Sequence, residues 1–215
     1  MDNAIPICSS GRVALDIGNV LIHVDIWKFI AEISRRFGLS DHDAYFFLET
    51  IQPLQDLNIT TVARSLKTTF RIADEDISKL IEVWNSTVWI SEPMMSWLNI
   101  LRSEDIKIAL LSNMGPGHLA YLRTNYPDLF KDTIQHISCE VGARKPSRLF
   151  FQSFILDHDA FRGCVYLDDL EENLRASKSY GFQTYNFNLS TFNTSSLSAQ
   201  KRELDKIKSF ILNRS

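Results

Sequence analysis

Three apolar runs of this 215-residue chain each end in polar residues that could take part in catalysis. Residues 13–15 lead to Asp16, residues 106–111 lead to Ser112 and Asn113, and residues 164–167 lead to the pair Asp168 and Asp169. Such runs predict strands buried on both faces of a parallel sheet, where ligands bind at the carboxyl ends of the strands. We therefore expect these polar side chains to lie in one crevice.

A lysine lies between the second and third runs, in the sequence Gly-Ala-Arg-Lys-Pro-Ser at residues 142–147. Pro146, which follows Lys145, predicts the first turn of a helix at this point. Taken singly, Asp16 could begin a turn, Ser112 could cap a helix and Lys145 could be an ordinary surface residue. Two carboxylate sites, a hydroxyl and a lysine together suit the binding of a metal ion and a phosphate.

Together these motifs resemble the haloacid dehalogenase-like (HAD) hydrolase superfamily, which has a nucleophilic aspartate, a serine or threonine, a lysine and an acidic pair. Their order and spacing match from Val13 to about Asn173, which is most of the chain. Four segments are most similar to bacterial phosphatases that act on glucose 1-phosphate, namely residues 16–20, 112–114, 142–146 and 167–173. The resemblance implies a phosphatase that hydrolyses a small phosphorylated metabolite, with a sugar phosphate as the expected substrate.

The resemblance also implies catalytic roles for individual residues. Asp16 would be the nucleophile, whose carboxylate forms an aspartyl-phosphate that water then hydrolyses. Ser112 and the backbone N–H groups of Asn113 and Met114 would bind the phosphoryl oxygens. Lys145 would bind the same group and balance the charge of Asp16.

The implied cofactor is Mg²⁺, a hard cation that prefers oxygen ligands. Asp16, the backbone carbonyl of Gly18 and Asp168 would be its protein ligands. Asp169 would act as a partner of these ligands or bind the ion through water.

Gly18 departs from the family pattern, because most of these phosphatases have a second aspartate there as general acid and base. A general acid contributes about 10²–10⁴-fold to a rate, so its loss matters most for poor leaving groups. We therefore expect a substrate with a good leaving group, such as the anomeric oxygen of a sugar 1-phosphate. Alternatively, His23 or Asp169 replaces the missing acid.

The fold class predicted is α/β: a doubly wound, Rossmann-like parallel sheet with an inserted all-α helical cap. Residues 1–25 and 89–215 would form the core domain, and residues 26–88 the cap. Helical periodicity divides the cap into four amphipathic segments, and Trp27 and Trp84 are expected in its core.

The segment boundaries in this cap follow from capping signals. Gly38 would end the first helix, and Ser40 with Asp43 forms a variant of the capping box that begins the second. The third would begin near Asn58, and the fourth would end with Val88 on its apolar face.

Composition excludes several classes of protein. The formal net charge of -3 and the dispersed basic residues argue against nucleic-acid binding. The three cysteines, Cys8, Cys139 and Cys164, are an odd number without CxxC spacing, which argues against a disulfide framework and a zinc knuckle. The histidines lack the spacing of zinc ligands. Of these, His23 and His118 lie beside the loops that carry Asp16 and Ser112. Without a secretory leader or a membrane span, we expect a cytoplasmic protein, either a monomer or a homodimer.

Three alternatives remain open from the sequence, and one of them is transfer of the phosphoryl group to another sugar hydroxyl instead of to water. A haloacid dehalogenase also uses an aspartate nucleophile without a second acid, but it needs no metal and would leave Asp168 and Asp169 without a purpose. A non-catalytic binding or regulatory protein on the same scaffold would explain Gly18. It would, however, have no chemical need for all four of the residues Asp16, Ser112, Lys145 and Asp168.

Overall fold

The computed structural model describes residues 11–58, 64, 67–69, 71, 73–192 and 197–212. Its strands are β1 (Arg12–Leu15), β2 (Ile22–Val24), β3 (Val88–Ile90), β4 (Lys107–Ser112), β5 (Thr133–Ile137), β6 (Val165–Asp168) and β7 (Gln183–Asn186). Five of them form a parallel sheet in the order β5-β4-β1-β6-β7. β1 is therefore the central strand.

Helices surround this sheet or lie between β2 and β3. They are α1 (Ile26–Phe37), α2 (Asp41–Phe46), α3 (Gln52–Asp56), α4 (Asp74–Ser86), α5 (Glu92–Ser103), α6 (Pro116–Asn125), α7 (Pro127–Phe130), α8 (Ser138–Val141), α9 (Arg148–Asp157), α10 (Glu171–Lys178) and α11 (Leu197–Leu212). A π-helical turn, Phe47–Ile51, connects α2 to α3. None of the described helices is long and apolar enough to cross a membrane.

Apolar side chains on both faces of the sheet explain why its strands are nearly continuous apolar runs. Leu15 and Leu98 belong to the cluster on one face, and Ala14 and Phe150 belong to the cluster on the other. A parallel sheet covered on both faces by helices is the predicted α/β core, so this part of the fold prediction is confirmed.

The strand register determines where the polar residues lie. Leu15 is paired with Leu110 on β4 and with Leu167 on β6. The three strands therefore end nearly level, and the residues that follow them emerge at one edge of the sheet. This alignment positions the site.

The capping signals between residues 26 and 58 are confirmed. Gly38 has a φ of 63° and its N–H donates to the Ser34 carbonyl, which ends α1. The Asp43 N–H donates to Ser40 Oγ and the Ser40 N–H to Asp43 Oδ2, so the capping box is reciprocal. Most of the segment that follows Asn58, including the predicted third helix, lies outside the described residues.

Three local predictions are wrong. Val88 does not lie on a helix but in β3, which pairs antiparallel with β2 and forms a two-stranded ribbon beside the helical segment. Trp27 is 68% exposed and therefore not in the core of the helical segment, whereas Trp84 packs against Phe29 as predicted.

Pro146 is not in the first turn of α9 but precedes it, because Ser147 is the N-cap and accepts from the Leu149 N–H. The boundaries of the cap domain itself remain a prediction.

Candidate active site

A cavity of about 440 Å³ lies at the carboxyl edge of the sheet. Three of the strands end at it, and residues of α3 and α4 form part of its lining. The predicted site residues that line it are Asp16, Gly18, Ser112, Asn113, Lys145 and Asp169. Its size is within the range of small-molecule sites, about 300–1,000 Å³.

Asp16 follows β1 directly and is almost fully buried, with 7% of its surface exposed. Its backbone N–H donates to the Leu167 carbonyl at 2.9 Å, and its Oδ1 accepts from the Ile17 N–H at 2.7 Å. Burial raises the pKa of Asp16 to about 7; Lys145 opposes this rise, and the carboxylates of Asp168 and Asp169 add to it. A cation bound here would remove the cost of holding these carboxylates together.

Lys145 joins two of the carboxylates. Its Nζ lies 2.9 Å from Asp16 Oδ1 and 2.7 Å from Asp168 Oδ2, and it donates to the Tyr166 hydroxyl at 3.0 Å. The Tyr166 hydroxyl in turn donates to Asp168 Oδ2. Although burial acts to lower the pKa of Lys145, Asp16 and Asp168 raise it above its ordinary value. The ammonium group therefore stays charged in a site where it is 1% exposed.

Asn113 holds the loop that carries Lys145, residues 142–147 and here called the lysine loop, against the end of β4. Its Nδ2 donates to the Lys145 carbonyl at 2.9 Å, and its Oδ1 accepts from the Lys145 N–H at 2.7 Å. The Met114 N–H already donates to Ser138 Oγ at 2.9 Å. It is therefore not free to bind a phosphoryl oxygen, which is the role that the family resemblance implied for it. Ser112, at the end of β4, is 2% exposed.

Asp16, Asp168 and Asp169 form a group of carboxylates that could hold a metal ion. One oxygen of each lies within 4.8 Å of the others. Three carboxylates at this spacing are a donor set that fits a hard divalent cation. Asn19 and Asn173 orient the outer members: Asn19 Nδ2 donates to Asp169 Oδ2, and Asn173 Nδ2 donates to both oxygens of Asp168.

The structure does not bring His23 to this cavity. Its ring stacks on that of Trp89, with 5.0 Å between the centroids, and both residues line a separate cavity. Burial lowers the pKa of His23. Of the two candidates for the missing acid, only Asp169 lines the cavity that contains Asp16.

Sequence reasoning missed two groups of residues. Tyr166 could have been found, because residues two apart on a strand share a face and Tyr166 therefore points the same way as Asp168. Gln55, Asp56 and Arg144 also line the cavity, and Arg144 Nη2 lies 3.2 Å from Asp56 Oδ2. No local pattern connects residues 88 positions apart.

Comparisons with known proteins concern the fold. No protein-family model matches the sequence, and no curated protein matches it. One similar solved structure is BT-2542, a HAD-family enzyme from Bacteroides thetaiotaomicron, in complex with magnesium and inorganic phosphate. The two are 22% identical with a TM-score of 0.72, over 88% of this chain and 100% of that one. The chain has the fold of the HAD-family enzymes.

Two further structures support the same fold. A predicted HAD-like hydrolase from Porphyromonas gingivalis is 20% identical with a TM-score of 0.71, covering 90% of this chain and 97% of that one. The L-2-haloacid dehalogenase of Xanthobacter autotrophicus, with chloropropionic acid covalently bound, is 14% identical with a TM-score of 0.60, over 91% of this chain and 83% of that one. Both phosphate-binding and dehalogenating proteins therefore share this fold, so the choice between the two chemistries depends on the site.

Proposed function

We propose that this protein is a Mg²⁺-dependent phosphatase of the HAD type, which hydrolyses a small phosphorylated metabolite through an aspartyl-phosphate. The observation that carries the proposal is the position of Lys145 Nζ, in contact with both Asp16 and Asp168 beside a cavity. The third carboxylate, Asp169, completes a donor set for a cation. Nucleophile, positive charge and metal ligands are then all within one site.

Asp16, the Gly18 carbonyl and Asp168 would hold Mg²⁺, with Asp169 as a further ligand through water. When bound, the ion neutralises negative charge on the phosphoryl group. Asp168 is suited to this role, because the Lys145 and Tyr166 side chains lower its pKa against the opposing effect of burial. It is therefore an anion at neutral pH.

The chemical steps follow from the remaining groups. A carboxylate oxygen of Asp16 forms a bond to phosphorus, and the bond from phosphorus to the leaving oxygen breaks with its electron pair on that oxygen. The leaving group takes its proton from water. A second water then attacks the phosphorus of the aspartyl-phosphate, which releases inorganic phosphate and restores Asp16. Ser112 and Lys145 bind the phosphoryl oxygens during both steps.

Gly18 points to the kind of substrate. Because this position has no carboxyl side chain, the loop after β1 provides no acid to protonate the leaving oxygen. This favours a substrate whose leaving group is stable as an anion. A sugar 1-phosphate such as glucose 1-phosphate satisfies this requirement. Asp169, in the same cavity, is the group that would otherwise donate the proton.

The test is phosphate release from a panel of sugar phosphates, with and without Mg²⁺, by the intact protein and by Asp16→Asn. We expect Mg²⁺-dependent release that the substitution abolishes. Calorimetric titration with Mg²⁺ gives a second readout, in which Asp168→Asn should weaken binding of the ion. Folded protein that neither binds Mg²⁺ nor releases phosphate from any ester would contradict the proposal.

The second candidate is the dehalogenase, which the absent acid at Gly18 favours. It is tested by halide release from 2-haloacids in the presence of a chelator. The three clustered carboxylates argue for the phosphatase, because Asp169 raises the pKa of Asp16 further and a reaction without a metal gains nothing from this third carboxylate.

A further inference from the structure

Buried polar atoms without a hydrogen-bond partner in the protein are concentrated around one cavity. Of the six such side-chain atoms in the described part of the chain, five belong to residues that line the 440 Å³ cavity. They are Gln55 Nε2, Asp56 Oδ1, His118 Nδ1, Arg144 Nε and Asn173 Oδ1. Buried polar groups in folded proteins are nearly always paired, so a local excess of unpaired ones indicates that a ligand supplies the partners.

Gln55 and Asp56 owe their position to α3. The cavity-lining residues of this helix, Gln52, Gln55 and Asp56, are spaced i, i+3 and i+4 and therefore lie on one face. The helix packs closely on the loop after β4, because a Cβ atom added to Gly115 would lie 3.3 Å from Gln55 Cβ. Gln55 and Asp56 are 4% and 2% exposed, so both side chains are held in place by packing.

Arg144 ties this helix to the lysine loop. Its Nη2 lies 3.2 Å from Asp56 Oδ2, while Asp56 Oδ1 and Arg144 Nε have no partner in the protein. The pair carries no net charge when both members are ionised. Asp56, Arg144 and Lys145 line the same cavity, and the charge of Lys145 lowers the pKa of Asp56, so whatever binds between Asp56 and Arg144 lies near this lysine.

We propose that Gln55, Asp56 and Arg144 form a subsite that binds hydroxyl groups of the substrate's leaving group. This inference rests on the proposed phosphatase function and names its substrate class: phosphate esters of uncharged, polyhydroxylated alcohols. We call these three residues the α3 wall.

The chemistry of the α3 wall selects this class. Its unpaired atoms are two donors, Gln55 Nε2 and Arg144 Nε, and one acceptor, Asp56 Oδ1, and a hydroxyl group is both a donor and an acceptor. Because Asp56 and Arg144 together carry no net charge, they favour an uncharged leaving group over one that bears a second anionic group. Trp84 and Val88 provide an apolar surface in the same cavity for the C–H faces of such an alcohol.

The experiment compares kcat/KM for two kinds of ester: p-nitrophenyl phosphate, which has no hydroxyl groups, and the best substrate from a panel of hexose, pentose and glycerol phosphates. The variants are Asp56→Asn and Gln55→Met, which preserve side-chain size. The matched control is Asp159→Asn, whose Oδ1 accepts from Arg162 Nε at 3.0 Å in an exposed aspartate–arginine pair.

We expect the ratio of the two kcat/KM values, hydroxylated over unhydroxylated, to fall about tenfold to a hundredfold in Asp56→Asn and Gln55→Met. The control should leave the ratio unchanged. A ratio within about twofold of wild type in both variants, even if both activities fall together, would overturn the subsite. So would an intact protein that hydrolyses p-nitrophenyl phosphate but no hydroxylated ester.

Failure of the phosphatase proposal is a separate outcome. If folded protein hydrolyses neither ester, calorimetric binding of glucose 1-phosphate to the intact protein and to Asp56→Asn decides on the subsite alone. Binding that is at least tenfold weaker in the variant supports it. Equal binding, or none, overturns it.

Discussion

Polar groups are buried on two sides of the cavity, and the two sides differ in how those groups are paired. On the sheet side, which we call the sheet wall, Asp16, Lys145, Tyr166 and Asp168 donate and accept among themselves. On the α3 wall, each of the three side chains retains an atom without a partner in the protein.

This difference separates catalysis from recognition. A network whose charges and hydrogen bonds are already in place needs no reorganisation when a phosphate arrives, which is the property expected of catalytic groups. Unpaired buried groups cost free energy until a ligand pairs with them, which is the property that gives specificity. The sheet wall is therefore suited to chemistry and the α3 wall to choosing the leaving group.

The largest effect is expected when the sheet wall loses its positive charge, the ammonium group of Lys145. Lys145→Met leaves two buried carboxylates facing one another, and we expect a loss of about 3–5 kcal/mol in the free energy of unfolding. Phosphate release should fall at least about a hundredfold. Urea unfolding in the presence of a chelator measures the first effect.

The matched control is Lys107→Met, which breaks an exposed pair with Asp105 (Nζ to Oδ1, 2.6 Å). It should change the free energy of unfolding far less than Lys145→Met does, because solvent screens an exposed ion pair. If the two variants are equally stable, the paired network of the sheet wall does not stabilise the folded protein.

A second prediction tests the burial of Asp56. Burial raises its pKa to about 6 from the usual 3.8, against the effects of Arg144 and Lys145. The folded protein then binds this proton more tightly than the unfolded chain, so its contribution favours folding below pH 4 and is lost as the pH rises towards 6.

Asp56→Asn removes this titration. From pH 4 to pH 7, the free energy of unfolding of the wild type should therefore decline relative to that of Asp56→Asn. The expected decline is about 3 kcal/mol, since one pKa unit corresponds to about 1.4 kcal/mol. Urea unfolding at several pH values measures this decline. If the difference in the free energy of unfolding between the wild type and Asp56→Asn is constant with pH, burial does not raise the pKa of Asp56.

A third prediction concerns Gly18, the position that lacks the carboxyl side chain expected of a general acid. A Cβ atom at Gly18 would lie 3.6 Å from Val24 Cγ2, an ordinary contact, so the position accepts a side chain. Gly18→Asp should raise the ratio of kcat/KM for an alkyl phosphate to that for p-nitrophenyl phosphate about 10–100-fold, because the new carboxyl protonates the poor leaving group. Gly18→Asn, which has no acidic proton, is the control, and an equal rise in both would refute the explanation.

The smallest expected effect concerns Tyr166. Tyr166→Phe keeps the packing against Phe151 and Phe182 but removes the hydroxyl between Lys145 and Asp168. We expect a loss of about 1–2 kcal/mol in the free energy of unfolding, measured in urea. Tyr180→Phe, which removes the hydroxyl from a second tyrosine ring in contact with Phe151, should cost less. A neutral Tyr166→Phe would mean that the network does not depend on this hydroxyl.

Local rules predicted that two residues of the sheet wall, Asp16 and Asp168, lie at one edge of the sheet, but they missed Tyr166. Apolar runs identify buried strands, and the carboxyl ends of parallel strands share an edge, so Asp16, Ser112 and Asp168 could be placed together from the sequence. The same holds for Gly38 and for the Ser40 capping box, because capping depends on residues that are neighbours in the chain.

The α3 wall could not be predicted, because its geometry depends on contacts between distant segments. Asp56 and Arg144 are brought together by the packing of α3 on the loop after β4, which no periodicity encodes. The β2 and β3 ribbon was missed for a related reason. Each strand has three residues, too few to show an alternating pattern, and Val88 fits a helical stripe equally well.

Trapping the aspartyl-phosphate tests whether Asp16 is the nucleophile. The protein is mixed with substrate and Mg²⁺, quenched within the first turnovers and treated with borohydride, which reduces an acyl phosphate to an alcohol. Peptide mass spectrometry then locates the modified residue. We predict homoserine at position 16 in the wild type and no modification without substrate. Rapid phosphate release with Asp16 unmodified, or modification of another carboxylate, would contradict the assignment of Asp16 as the nucleophile.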